Sequence, residues 1–426
     1  MNMIHRPAGQ FDTVDLLLAD VALRIQLSPT QYKLATDRYN AINDWLERDG
    51  SPLAGLVTRF YPQGSMSIGA TISSSVDNED YDIDVMVELN IPPDTPSDVV
   101  LDVLYETVRG EPGSRYYKVT ERRTRCVTVH YADMHIDLTP TVLVPERRPL
   151  TGWIFHHKPE DPQEPAGRYL ANPWGFGKWY RENTPADQGF ATAFARLAEG
   201  RSGYEMMAMA KADTEPVPEQ VPITHKSMAL VTHQLTKRWR NNRYEGHKGK
   251  RRPPSPLLAC INAQSAGMTN TLAEELEYQV DCLLRRFEDA HALGRLIYVT
   301  NPECDEDEFT DRWPSDLDAQ AEFIDGLLDF RFKVQRLREE DCDLAEMQAI
   351  MADLFGEHPT TAAFKAYNER LGNAVQTGRL TTGRDGRIDL GRSGLAGTGA
   401  AAATTSSASA YTAPAHKFFG GKWEPQ

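Results

Sequence analysis

Two periodicities divide this chain. In the segments 81–89 and 134–139 apolar residues recur at every second position, and beyond about Trp179 they recur at spacings of three and four. The first rhythm belongs to strands and the second to helices. In the segment 81–89, Tyr81, Ile83, Val85, Val87 and Leu89 point one way, while Asp82, Asp84, Met86 and Glu88 point the other. Ile136 and Leu138 repeat the inward set and leave His135 and Asp137 on the opposite face. Strands are therefore predicted at about 81–89, 116–120, 125–131 and 134–139, with a helix at 97–109. Ahead of them, 12–26 and 28–48 read as helices, the second opened by Ser28-Pro29-Thr30, a capping residue with proline in the first turn. A short helix is predicted at 64–74. Later helices are predicted at 188–199, 203–211, 225–244, 255–266, 270–289, 316–340, 343–355 and 360–375.

The pattern predicts an α+β chain in three parts. Residues 1–175 form a mixed sheet with flanking helices and the N-terminal helices, 176–376 form an all-helical domain closing a cleft, and 377–426 form a tail. The segment 145–175, rich in Pro, Gly and Trp, reads as an extended connection. Trp174 and Phe176 are assigned to packing at the junction, and Met206, Met207 and Met209 to the helical core. From 377 to 413 the chain is rich in Gly, Ala, Ser and Thr, so it is expected to be flexible. It leads to Phe418, Phe419 and Trp423, aromatics that suit a docking peptide.

The candidate chemistry sits on the polar faces of the two strands. Side chains two apart on a strand lie roughly 7 Å apart on one face, so Asp82 and Asp84 look the same way. If the strands are neighbours, Asp137 completes a triad. Clustered carboxylates repel one another unless a cation sits among them. Oxygen-only ligands suit Mg²⁺, with Mn²⁺ as a substitute. Two such ions can activate an attacking hydroxyl and neutralise a leaving pyrophosphate. Upstream, Gly64 and Ser65 fit a turn that opens a helix, where free N–H groups and a hydroxyl hold β- and γ-phosphates. An Asp-x-Asp pair alone is more often a solvated strand face; the Gly-Ser turn and the third Asp shift the balance toward catalysis. Asp77, Glu79 and Asp80 read as solvated loop charges.

Composition narrows the classes. A chain of 426 residues exceeds the usual single domain. No apolar run approaches the ~20 residues a bilayer span needs, and Met1–Gln10 lacks a signal-peptide core, so the cytoplasm is expected. Five scattered cysteines make no Cys-x-x-Cys pair, which disfavours structural zinc. His156-His157 reads as a loop feature. A net charge of −15 disfavours a large footprint on duplex DNA. The basic clusters at Arg122–Arg125, Lys237–Arg240 and His247–Arg252 read first as solvated faces or loops.

The order Gly-Ser, Asp-x-Asp, distant Asp resembles the DNA polymerase β-like nucleotidyltransferases. Tyr61-Pro62-Gln63-Gly64-Ser65-Met66, Asn172-Pro173-Trp174-Gly175-Phe176, and Asn301-Pro302-Glu303 through Phe309-Thr310-Asp311-Arg312-Trp313 resemble, more narrowly, the bacterial cGAS/DncV-like nucleotidyltransferases, or CD-NTases. The resemblance runs from about Leu27 to about Gly356, with a tail echo at His416–Gly420. It implies a polymerase β-like core and synthesis of a cyclic di- or trinucleotide second messenger from ATP and other NTPs, in the antiphage operons called CBASS. It implies catalytic and metal roles for Asp82, Asp84 and Asp137, and nucleotide binding by Gly64 and Ser65. A helix over 227–244 puts Lys237 on one face with His233, Arg240 and Tyr244. A family lysine in a similar helix reaches the donor triphosphate, which makes Lys237 the candidate. An operon partner docking on the tail is also implied. The same triad would serve an enzyme that modifies a protein or RNA acceptor, and an inactive scaffold is the non-enzyme alternative. Base choice, ring size and linkage are not encoded in these motifs.

Overall fold

The alternating segments assemble into a seven-stranded sheet: β1 (Val57–Pro62), β2 (Tyr81–Leu89), β3 (Thr120–Arg122), β4 (Val127–His130), β5 (Met134–Leu143), β6 (Gly152–His156) and β7 (Gly167–Ala171). The computed structural model describes residues 11–73, 81–161, 166–199, 226–247, 250–267 and 269–377, with three residue pairs in the tail. The helix expected at 203–211, the charges Asp77, Glu79 and Asp80, and the terminal aromatic motif lie outside the described residues. Strand order is β1-β2-β5-β4-β3, with β6 joining β5 to β7. β2 and β5 run parallel, and the other pairs are antiparallel.

One face of this sheet is apolar. Tyr81, Ile83, Val85 and Val87 of β2 join Ile136 and Leu138 of β5 and Val127 and Val129 of β4 in a single buried core. Helices α2 (Pro29–Leu46) and α4 (Ser97–Arg109) cover it with Tyr39, Ile42, Leu101 and Leu104. The start of α2 is the predicted one: the Ser28 hydroxyl accepts from Gln31 N–H, and the Gln31 side chain accepts from Ser28 N–H. The Tyr39 hydroxyl donates to the Phe60 carbonyl and ties α2 to β1.

Three local expectations are corrected. The strand placed at 116–120 begins only at Thr120, because 114–119 is taken up by successive turns. The segment 145–175 is not a plain connection; it contains the β6–β7 hairpin and the start of α5 (Pro173–Asn183). Its alternation is hidden by Gly152, where a Cβ would strike the Thr141 hydroxyl and the Val142 carbonyl. The helix after Gly64, α3, stops at Ser67. Gly69 turns left-handed at φ 71°, and Ala70 N–H bonds back to the Ser65 carbonyl.

The remaining elements are α1 (Thr13–Ile25), α6 (Gln188–Glu199), α7 (Met228–Tyr244), α8 (Ser255–Gln264), α9 (Leu272–Ala292), the short pair β8 (Thr300–Asn301) and β9 (Cys304–Glu308), α10 (Leu317–Leu337), α11 (Leu344–Phe355) and α12 (Glu357–Gln376). Of the two N-terminal helices, α2 lies on the sheet, while α1 packs with α6, α7 and α9. Asp15 of α1 accepts from Ala273 N–H at the start of α9. At the centre lies α7, buried from Ala229 through Asn241. Its Trp239 stacks on Phe330 with ring centroids 4.6 Å apart. Phe176 is buried against Phe309, as expected of the junction, whereas Trp174 stays 39% exposed and meets Tyr61 edge-on. By packing, the chain through Pro359 is one unit and Thr360 onward another. In the second unit, 381–382, 388–389 and 411–412 pair as a small antiparallel sheet within the tail expected to lack structure.

Candidate active site

The polar face of the sheet carries the candidate acids. In the parallel β2–β5 register, Asp84 stands opposite Asp137 and Asp82 opposite His135. Neighbouring strands are about 4.8 Å apart, so the three carboxylates share one patch. Asp82 is exposed, while Asp84 and Asp137 are half-buried. On the far side of β5, Thr128 pairs with Asp137, and its hydroxyl donates to Asp137 Oδ1. That bond fixes the Asp137 rotamer.

The Gly-Ser turn is built against the same acids. Gln63 N–H donates to the Asp84 carbonyl at 2.8 Å, which pins the turn to β2. Gly64 has φ +57°, and a Cβ there would lie 2.5 Å from Asp84 Oδ2. Glycine is required twice over: for the left-handed backbone and for the room the carboxylate needs. Ser65 follows at the start of α3, its hydroxyl 3.5 Å from that of Thr71. Arg181 of α5 donates to the Ser67 carbonyl at 2.6 Å and braces α3 from outside.

Opposite the acids, α7 brings cations. Lys237 Nζ donates to the Ala70 carbonyl at 3.0 Å and is 5% exposed. Lys226, just before α7, is 1% exposed and reaches the Gly69 carbonyl at 3.4 Å. Gln234 donates to the Gly69 and Thr71 carbonyls. The loop after α3 is thus held by α7 through its own carbonyl oxygens. Neither lysine is salt-bridged to a carboxylate among the described residues. A buried cation without a counter-charge is expensive unless a ligand supplies one.

Comparison with known proteins agrees with this geometry. The model of the Second Messenger Oligonucleotide or Dinucleotide Synthetase (SMODS) domain matches residues 13–149. The cyclic dinucleotide synthase CdnG of Bradyrhizobium diazoefficiens is 38% identical over 375 residues, covering 87% of this chain and 88% of that protein. The solved structure of the Bradyrhizobium diazoefficiens CD-NTase CdnG in complex with GTP superposes with a TM-score of 0.71 at 37% identity, covering 84% of this chain and 98% of that one. The chain belongs to the CD-NTase family. A c-di-GMP synthase of Roseivirga ehrenbergii is 24% identical over 378 residues, 86% of this CD-NTase and 91% of the relative. The resemblance read from the sequence motifs is borne out, and so is the α+β fold with its nucleotidyltransferase sheet. CD-NTases are nucleotidyltransferases, and their chemistry is metal-dependent.

The electrostatics of this CD-NTase suit cations on one wall and phosphates on the other. Burial, then the neighbouring Asp137 and Asp82, push the Asp84 carboxyl up to about 7, with Lys237 pulling the other way. Burial also raises Asp137, opposed by the Thr128 hydrogen bond and reinforced by Asp82. Burial, then Arg240, brings the Lys237 ammonium down to about 7 against the attraction of Asp84. Burial alone brings Lys226 to about 7. Among the described residues, no three His, Cys, Asp or Glu side chains close into a ready ion cage. The acids share a face and a register, and Thr128 holds Asp137. The donor set still fits a hard divalent cation: all ligands are oxygens, and no hydrogen bond relieves the Asp84 carboxylate.

Several contributors were missed in the sequence. Thr128 lies on the outward face of a predicted strand, but only the β4–β5 register shows that it meets Asp137. Lys226 and Gln234 lacked any signal beyond helical spacing. Of the basic clusters, Arg122, Arg123 and Arg125 pair with Asp102, Glu121 and Asp311. Lys237 and Arg240, read first as surface, are buried. His156 closes β6, buried against Tyr169 and accepting from Arg125, so it is not a loop feature. No helix among the described residues is long and apolar enough to cross a membrane.

Proposed function

We propose that this CD-NTase joins nucleoside triphosphates, GTP among them and ATP as a further substrate, into a cyclic dinucleotide. The observation that carries the reading is the pairing of Asp84 with Asp137 across two parallel strands, beside Gly64 and facing buried, unpaired Lys237. The names of the relatives support the product class, and the GTP complex of the Bradyrhizobium protein supports the substrate.

Asp82, Asp84 and Asp137 are the residues that would hold two divalent cations, Mg²⁺ first and Mn²⁺ as a substitute. Bound there, such ions acidify the acceptor's ribose hydroxyl and neutralise charge on the leaving pyrophosphate. The chain does the rest. The backbone at Gly64 and the Ser65 hydroxyl hold donor phosphate oxygens, and Lys237 adds a fixed positive charge behind them. Thr128 keeps Asp137 turned toward the acceptor side. The acceptor hydroxyl gives up its proton to the Asp137 carboxylate, its oxygen bonds to the α-phosphorus, the α–β bridging bond breaks, and pyrophosphate leaves. A second round within the linear product closes the ring. The setting inferred is antiphage defence in the cytoplasm, with a partner of the operon docking on the tail at 377–426. The domain reading that goes with it is a nucleotidyltransferase core over 1–175 and a cleft-closing helical domain over 176–376.

The test is incubation of the purified chain with Mg²⁺ and each NTP, singly and in pairs, followed by mass spectrometry. A cyclic dinucleotide formed from NTPs alone is expected. Label found only on an added protein or RNA acceptor would overturn the reading.

A further inference from the structure

Beyond Lys237, α7 carries its polar stripe to a second place. Arg240, Asn241 and Tyr244 follow Lys237 at spacings of three, four and seven, so they continue one helix face for about 10 Å. Asn241 and Tyr244 then line a cavity of about 610 Å³ at the C-terminal end of the helix. Lys250, Arg251, Arg252 and Arg312 also line it, against a single acid, Glu245. Lys250 is paired with Glu322, and Arg312 lies near Asp311. Arg251 and Arg252 have no carboxylate partner among the described residues.

The wall is built rather than frayed. Arg240 donates to the Pro253 carbonyl at 2.7 Å and to the Ser255 hydroxyl at 3.0 Å, which fastens the 250–254 loop to α7. One neutral oxygen, Asn241 Oδ1, accepts from two guanidiniums: Arg240 at 2.8 and 3.1 Å, and Arg252 at 3.3 Å. Two like charges share one amide oxygen, in a chain whose net charge is −15. Arg240, between Lys237 and Tyr244 on this face, links the helix to the loop that lines the cavity.

We propose that this cavity is a second oligophosphate site, distinct from the donor site at Gly64, Ser65 and Lys237. It takes the departing pyrophosphate. The proposal rests on the nucleotidyl-transfer reading above. Arg252, held to Asn241, and the exposed Arg251 offer guanidinium forks that suit phosphate oxygens.

The test titrates inorganic pyrophosphate into the full chain by calorimetry, with the donor site filled by a non-hydrolysable NTP. A remaining pyrophosphate site is expected, and Arg251→Glu with Arg252→Glu should weaken it by about tenfold or more. The same double variant should bind the NTP analogue at the donor site as the wild type does, which shows that it is folded. Steady-state assays of the double variant should show a raised inhibition constant for pyrophosphate with the KM for NTP unchanged. The inference is overturned if pyrophosphate binds only in competition with the analogue, or if the double variant binds it unchanged. Failure of the wild type to make any cyclic product would instead sink the function itself, whatever pyrophosphate does.

Discussion

The sheet wall and the helix wall of the proposed site are charged in opposite ways and built by opposite means. Strands β2 and β5, inside the sheet, hold their acids on its polar face, where Asp82 is exposed and Asp84 and Asp137 are half-buried. Helix α7 hides its cations: Lys237, Arg238 and Arg240 are each no more than 5% exposed. The acids are open to water, whereas Lys237 is desolvated and held at the Ala70 carbonyl, and Arg238 and Arg240 turn to the Phe355 and Pro253 carbonyls. In the function proposed above, one wall would recruit its counter-charge from solution, and the other would receive it from the substrate. The acids therefore remain soft in occupancy, while the helix supplies a fixed field.

The largest break in this comparison comes from the acid wall. Asp82→Ala with Asp84→Ala should lower cyclic product by roughly 10³-fold or more, since transition-state charge is then left unstabilised. The fold should survive, because both side chains project from the sheet away from its apolar core. Thermal melting in the absence of divalent ions is expected to stay level or rise, as mutual repulsion is removed. Product at the wild-type level in a well-folded double variant would take these residues out of the reaction.

Lys237 sharpens the same contrast from the other side. Lys237→Met keeps the aliphatic volume in the buried helix but deletes the charge. The KM for NTP should rise by about 10–100-fold, as one charge-assisted phosphate contact is lost. Without nucleotide the variant should melt no lower than wild type, because an unpaired buried ammonium is replaced by an apolar group. With nucleotide, the stabilisation seen in wild type should shrink. An unchanged KM, or a sharp fall in melting temperature without ligand, would mean that Lys237 serves only to hold the Ala70 carbonyl.

The two walls also differed in how far they could be read from sequence. Strict alternation in Tyr81–Leu89 determines the face of Asp82 and Asp84, because the period of a strand is fixed at two. Gly64 was legible as a turn, although its collision with the Asp84 carboxylate needed coordinates. Helix α7 was legible as a helix but not as a buried one. Its composition, with Lys, two Arg and His among the enclosed residues, has the look of a surface, and only packing of α1, α8, α9 and α11 around it reverses that. The register that puts Thr128 on Asp137 is a long-range pairing, which no local pattern encodes. The β6–β7 hairpin was lost for a similar reason, since Gly152 and the prolines mask its rhythm.

The smallest effect expected is one of pH, and it separates the walls by sign. The Asp84 carboxyl titrates near 7 in the folded chain, raised from 3.8 by burial and by its acidic neighbours. Between these values the folded chain holds a proton that the unfolded chain has released. Stability from this group is therefore full below the unfolded pKa and declines as pH rises through about 7. A divalent cation must displace that proton, so its affinity should fall by about tenfold for each pH unit below 7 and level off above it. Calorimetric titration of Mg²⁺ from pH 5.5 to 8.5 measures this directly. Lys237 runs the other way: its pKa is lowered from 10.5 to about 7, so it weakens the apo fold at low pH, and its contribution improves as pH rises toward 10.5. In Lys237→Met the Mg²⁺ profile should keep its shape and shift upward in pH, because the cation that helps ionise Asp84 is gone. A profile flat from pH 5.5 to 8.5 in both proteins would mean that Asp84 is ionised throughout, and that the acids are not crowded enough to need a metal.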